Sequence, residues 1–130
     1  MAILQRNILV ADDDAELRVA VAEYLRGEGF DVEEADSGTA ALEVARASRP
    51  DVLVLDLNMP RSNGQDVLNV WTADPGLKDV PVLLISGARE LAEVAEQFNV
   101  RARLAKPFDM DVLHAVVEQL VAHPEQPVTD

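Results

Sequence analysis

The chain contains no cysteine, which excludes disulfides, thiolate nucleophiles and thiolate-held metal sites. Aromatic residues make up only 4% of it, and 11 Lys and Arg face 24 Asp and Glu, for a formal charge of −13. Such a charge repels phosphate backbones and anionic lipid, so direct nucleic-acid binding is not expected and a cation is the natural small ligand. Missing as well is any apolar run near the roughly 20 residues that cross a bilayer. The opening Met1-Ala2-Ile3-Leu4-Gln5-Arg6 has neither the long apolar stretch nor the cleavage site of a signal peptide. A cytoplasmic protein without membrane insertion is the expectation.

What is present suits one globular domain, with 48% hydrophobic and 27% charged residues in a chain of 130, long enough for a real core. Short apolar runs alternate with helical patterns. Residues 7–11 form the first run and end directly in Asp12-Asp13-Asp14, where Asp14 is placed to cap a helix with Leu17, Val21, Tyr24 and Leu25 on one face. That helix stops in Gly27-Glu28-Gly29. Residues 30–35 alternate apolar and acidic side chains, as an edge strand with one wet side would, and Ser37 caps a second helix carrying Ala41, Leu42 and Ala45. The next run, Val52-Leu53-Val54-Leu55, is apolar throughout. A strand covered on both faces explains it, and it delivers Asp56 at its end.

A loop over residues 58–64 precedes a third helix with Val67, Leu68 and Trp71. Residues 80–85 form the fourth strand, followed by Ser86-Gly87 and a helix with Leu91, Val94, Ala95 and Phe98. A weaker, partly polar strand over residues 100–105 runs into Lys106-Pro107-Phe108. The last helix has Asp109 as its cap and Leu113, Val116, Val117 and Leu120 on one face. Short linkers between alternating elements demand parallel strands and right-handed crossovers, hence a three-layer, doubly wound α/β fold. It occupies residues 1–122, and residues 123–130 read as a polar, disordered tail.

In such a sheet the strand ends that feed helices lie along one edge, where ligands bind. Asp12, Asp13, Asp56, Ser86 and Lys106 all stand at those ends. Singly, each has an ordinary explanation as turn-former, helix cap, loop residue or solvated charge. Together they describe a chemistry. Carboxylates crowded in one cleft need a countercharge, which a hard divalent cation supplies. A lysine and a hydroxyl can then hold phosphoryl oxygens, and one Asp can act as nucleophile in phosphoryl transfer. Asp56 is the best candidate, since it stands alone while Asp12 and Asp13 are paired for the metal.

These residues in this order closely resemble the receiver domain of two-component response regulators. The resemblance rests on Asp12-Asp13, on Asp56 followed by Asn58-Met59-Pro60 and Gly64, on Ser86-Gly87, and on Lys106-Pro107-Phe108, and it covers residues 6–121. It implies a flavodoxin-like five-stranded parallel sheet in the order 2-1-3-4-5, the order of the chemotaxis receiver. By the same resemblance, Asp56 takes a phosphoryl group from a sensor histidine kinase or a histidine phosphotransfer protein. Mg²⁺, with Mn²⁺ as a substitute, is held directly by Asp13 and Asp56, by Asp12 mainly through water, and by the Asn58 backbone carbonyl. Lys106 contacts the phosphoryl group, its bond to Pro107 is cis, and Ser86 closes on the phosphate. Slow self-dephosphorylation is implied too, with Asn58 and Ala88 flanking the water's approach. The expected output is binding: a stand-alone switch, not a conventional enzyme, that would signal through a downstream protein partner, a phosphorelay or a homodimer.

One position departs from the pattern. Arg103 stands three residues before the lysine, where many receivers carry a Tyr or Phe that swings inward. Burying an unpaired guanidinium is costly. Arg103 is therefore expected on the surface, beside Arg101 and near Pro107, for partner recognition, a charge pair or simple solvation of an edge strand. Other readings are a degenerate receiver that binds without phosphorylation, and an Asp-nucleophile phosphohydrolase of the haloacid-dehalogenase type. The latter resembles its relatives in an acid/base Asp two residues past the nucleophile, where Asn58 stands here, and in a cap this chain is too short to hold. Trp71 and Met59 read as packing, and His114 and His123 as incidental.

Overall fold

The structure, a computed structural model, describes residues 6–59, 64–87 and 89–128. Ten elements alternate along the chain: β1 (Asn7–Ala11), α1 (Ala15–Gly27), β2 (Asp31–Ala35), α2 (Gly38–Ala47), β3 (Val52–Asp56), α3 (Gly64–Ala73), β4 (Val82–Ser86), α4 (Leu91–Gln97), β5 (Ala102–Ala105) and α5 (Met110–Ala122). The strands are all parallel, in the order β2-β1-β3-β4-β5. Both the doubly wound architecture and the strand order match the expectation.

Alternation along each strand sorts side chains to two faces. Leu9, Leu53, Leu55, Val82 and Leu84 pack with α2, α3 and α4, while Ile8, Val10, Val52, Val54, Leu83 and Ile85 pack with α1 and α5. Every residue of β3 and β4 is buried, which is why the central run reads as uninterrupted Val and Leu. Trp71 and Met59 belong to the core as expected, and the buried Trp71 indole donates to the Val80 carbonyl at 3.2 Å.

Helix ends follow local chemistry. The Asp14 carboxylate accepts the Glu16 and Leu17 N–H groups, and the Ser37 hydroxyl accepts that of Ala40. Asp109 occupies the N-cap of α5 but makes no capping bond; the Asp111 carboxylate takes the Val112 N–H instead. After α1, the Phe30 N–H reaches the Leu25 carbonyl and the Gly29 N–H that of Arg26, a reversal that needs the positive φ of Gly29. Asn99 makes the same reversal after α4, at φ 53°.

Two expectations need correction. β2 is an edge strand, but beyond the exposed Asp31 it has no freely solvated face: Glu33 and Glu34 are both half-buried because helices cover both sides of the sheet. Residues 123–128, expected to be disordered, return to the start of β5, where the Val128 N–H donates to the Arg101 carbonyl at 2.7 Å and Val128 packs on the core.

Gly64 opens α3 in close contact with the strand exit before it. A Cβ there would lie 2.8 Å from both the α-carbon and the carbonyl oxygen of Leu57 and 3.1 Å from the Asp56 carbonyl. Gly64→Ala is expected to cost about 1–3 kcal/mol in urea unfolding, as overpacking against backbone does. Gly27→Ala, with nothing within 4 Å of its Cβ, should be neutral or stabilising by up to about 1 kcal/mol.

Candidate functional site

Because the strands are parallel, β1, β3, β4 and β5 all end on one edge of the sheet. Register aligns those ends: Ala11 lies opposite Leu55, Asp56 opposite Ile85 and Ser86 opposite Ala105. Asp12 therefore stands level with Asp56, and Lys106 follows the partner of Ser86. Backbone pairing continues past the strands, with the Leu57 N–H on the Ile85 carbonyl at 2.8 Å and the Lys106 N–H on the Ser86 carbonyl at 3.0 Å.

Two of the carboxylates at this edge are buried, Asp12 at 5% exposure and Asp56 at 4%, while Asp13 is exposed. One oxygen from each of the three lies within 4.8 Å of the others. Lys106 Nζ sits 3.2 Å from Asp56 Oδ2 and 3.8 Å from Asp12 Oδ2. The remaining oxygens accept local backbone bonds: Asp56 Oδ1 from the Asn58 N–H at 3.2 Å, and Asp12 Oδ1 from the Asp14 N–H at 2.9 Å.

One ammonium cannot neutralise three carboxylates. Burial, foremost, pushes the Asp12 carboxyl up to about 6 from 3.8, and the negative charge and hydrogen bonding of Asp56 add to that push. The Asp14 N–H and the Lys106 charge oppose it without prevailing. A divalent cation would supply the missing charge. Clustered carboxylate oxygens are the hard donors that such ions take, together with water, so the residues fit a metal.

Ser86 is fully buried, and its hydroxyl accepts from Asn58 Nδ2 at 3.1 Å. That bond joins the loops after β3 and β4 and was not foreseen, since nothing in either loop points to the other. The structure thus gathers Asp12, Asp13, Asp56, Asn58, Ser86 and Lys106. The Lys106–Pro107 bond is cis, as expected from the resemblance, and Pro107 is exposed. Arg103 is exposed on β5, away from this cluster, whereas Arg101 is half-buried, with Nε donating to the Pro124 carbonyl at 3.3 Å. Ala88 lies outside the described residues.

Sequence reading missed Arg18, whose Nη1 donates to the Asp12 carbonyl at 2.9 Å, and its partner Glu34. A signal existed: consecutive glutamates at 33 and 34 break a two-residue alternation, so one must face a covering helix.

Comparison with known proteins agrees with this fold. A family model for the response regulator receiver domain matches residues 8–118. Transcriptional regulatory protein PdtaR of Mycobacterium tuberculosis is 35% identical over 122 residues, covering 93% of this chain and 59% of that protein. Chemotaxis protein CheY of Pseudomonas aeruginosa is 36% identical over 117 residues, covering 88% of this chain and 94% of that one. Chemotaxis response regulator CheY4 of Vibrio cholerae superposes with a TM-score of 0.83 at 26% identity, over 90% of this chain and 99% of that one. No helix of the described residues is long and apolar enough to cross a membrane.

A carboxyl raised from 3.8 to about 6 on folding contributes stability that is fully present below the lower value and lost as pH rises through the upper one. At about 1.4 kcal/mol per unit, metal-free protein should lose at most about 3 kcal/mol on this account. Urea unfolding in chelator between about pH 4 and pH 7 should show that loss in the wild type and its absence in Asp12→Asn. Saturating Mg²⁺ at neutral pH should restore the wild type and do less for the variant.

Proposed function

The chain belongs to the response regulator receiver domain family, and on that footing we propose that Asp56 is its phosphoacceptor, charged by a histidine kinase or a histidine phosphotransfer protein. Receiver domains are phosphorylation-dependent signalling switches. The observation that carries the residue assignment is the placement of buried Asp56, 3.2 Å from Lys106 Nζ and within 4.8 Å of the Asp12 and Asp13 oxygens.

A carboxylate oxygen of Asp56 attacks phosphorus. The new P–O bond forms as the P–N bond of the phosphohistidine breaks, and its electron pair leaves on the imidazole nitrogen. Lys106 stands where charge collects on the phosphoryl oxygens, so its ammonium stabilises the transfer. Asp12, Asp13, Asp56 and the Asn58 backbone carbonyl would hold Mg²⁺, or Mn²⁺ in its place, which when bound adds positive charge on the same oxygens. Ser86 can donate its hydroxyl proton to a phosphoryl oxygen while its oxygen still accepts from Asn58 Nδ2. Drawing the Ser86 side chain toward the phosphoryl group moves the loop after β4 and carries the event toward α4 and β5. Hydrolysis of the acyl phosphate by water passes the Asn58 side chain, and it resets the switch slowly.

The binding surface that answers would include Arg103 and Pro107, both exposed on the side of β5 and its following loop. A solvated guanidinium at the sheet edge supports recognition of an acidic surface on a downstream partner or a second copy. PdtaR is named for transcription and CheY for chemotaxis, so relatives of this chain are named for different outputs.

Incubation with a small acyl phosphate donor and Mg²⁺ should give a single phosphate adduct by intact mass in the wild type and none in Asp56→Asn. An adduct retained by the variant would sink the acceptor assignment. Arg103→Ala should leave the adduct unchanged while weakening phosphorylation-dependent self-association or partner binding in sedimentation velocity. Unaltered association in both phosphorylation states would remove Arg103 from the recognition surface.

A further inference from the structure

We propose that Arg18 is a positioning residue for the metal-binding cleft: held by Glu34, it fixes the peptide between Asp12 and Asp13 and so sets the affinity for the divalent cation. The inference rests on reading Asp12 and Asp13 as metal ligands.

Asp12 is the first residue beyond β1. Its N–H still finds a partner, the Ala35 carbonyl at 3.0 Å, and its Oδ1 accepts the Asp14 N–H at 2.9 Å. Its carbonyl has run out of ladder, and a buried carbonyl needs a donor. Arg18 supplies it, Nη1 donating at 2.9 Å. With N–H, carbonyl and one carboxylate oxygen all engaged, Asp12 is held on three sides, and Oδ2 is left turned toward Lys106 at 3.8 Å. The same carbonyl belongs to the peptide that leads into Asp13. Its plane determines how both aspartates leave the backbone.

Arg18 is itself constrained. Its side chain is 17% exposed, and Nε donates to Glu34 Oε1 at 3.2 Å. Glu34 lies opposite Val10 in the sheet, and its other oxygen takes Arg26 Nη1 at 3.3 Å, while Arg26 Nη2 holds the Val32 carbonyl at 2.8 Å. One carboxylate therefore balances two guanidiniums set about two turns apart on α1 and ties that helix along β2. A planar fork can serve Glu34 and the Asp12 carbonyl together, whereas a lysine ammonium offers one point charge at the end of a flexible stem. Partners that orient metal ligands typically change metal affinity by about 10–100-fold when removed.

Calorimetric titration with Mg²⁺ alone, on full-length protein well below its melting temperature, separates the outcomes. Arg18→Ala should weaken binding by about 10-fold or more, Arg18→Lys by an intermediate amount, and Arg26→Ala, which leaves the Asp12 contact in place, by less than either. In metal-free protein, the Asp13 amide nitrogen resonance should shift in both Arg18 variants and hold in Arg26→Ala, a readout that loss of stability alone would not move. A folded Arg18→Ala that binds Mg²⁺ like the wild type overturns the proposal. Should that variant not fold, Arg18→Lys is judged in its place, and wild-type affinity there is equally fatal. Wild-type protein that fails to bind Mg²⁺ would overturn the metal-site reading instead, a result distinguishable because it appears before any substitution is made.

Discussion

Two buried carboxylates lean on one ammonium. Among the described residues, the ion pairs of both Asp12 and Asp56 are with Lys106, and Asp13 adds a third acid nearby. Burying charge is costly unless it is paired, so the cleft holds unfavourable electrostatics that a cation or a proton relieves. Much of the surrounding construction serves to keep those acids in place. Strand register sets Asp12 level with Asp56, Gly64 lets α3 approach the exit of β3, and Arg18 closes the carbonyl that β1 leaves open.

The same crowding gives the site a way to speak to the rest of the domain. Ser86 is both the end of β4 and the acceptor of an Asn58 hydrogen bond, and its carbonyl holds the Lys106 N–H. A phosphoryl group that takes the hydroxyl proton would pull on a residue whose oxygen already accepts from Asn58 and whose backbone is tied to β5. In many receivers an aromatic side chain then fills the space vacated beneath. Here Arg103 stands exposed at that position, so no ring is there to be buried.

How far the sequence is legible can be judged residue by residue. β3 and β4 announce themselves because strands covered on both faces admit no polar alternation. Asp14 and Ser37 read correctly as caps because capping is local: a side chain two or three residues from the N–H it accepts. Asp109 has the residue type and the position of a cap but not the bond, since Asp111 competes for the same first turn. Residues 123–128 look disordered by composition, yet the Val128 N–H finds the Arg101 carbonyl just before β5, and no pattern within the segment encodes where that carbonyl lies.

The amino-acid sequence by itself determined the alternation of strands and helices, the parallel sheet, and the positions at which Asp12, Asp13, Asp56, Ser86 and Lys106 leave it. Periodicity and local hydrogen bonding act over a few residues, and a parallel sheet delivers its strand ends to one edge whatever the details. Tertiary structure alone decided that Asn58 binds Ser86, that Glu34 holds Arg18 against the Asp12 carbonyl, and that Asp12 resists ionisation. Each of these depends on which side chains meet across separate elements, Arg18 and Glu34 16 residues apart and Asn58 and Ser86 28 apart, and on how much water is left between them. Burial and long-range pairing are properties of the packed molecule, and no local stretch of the chain contains them.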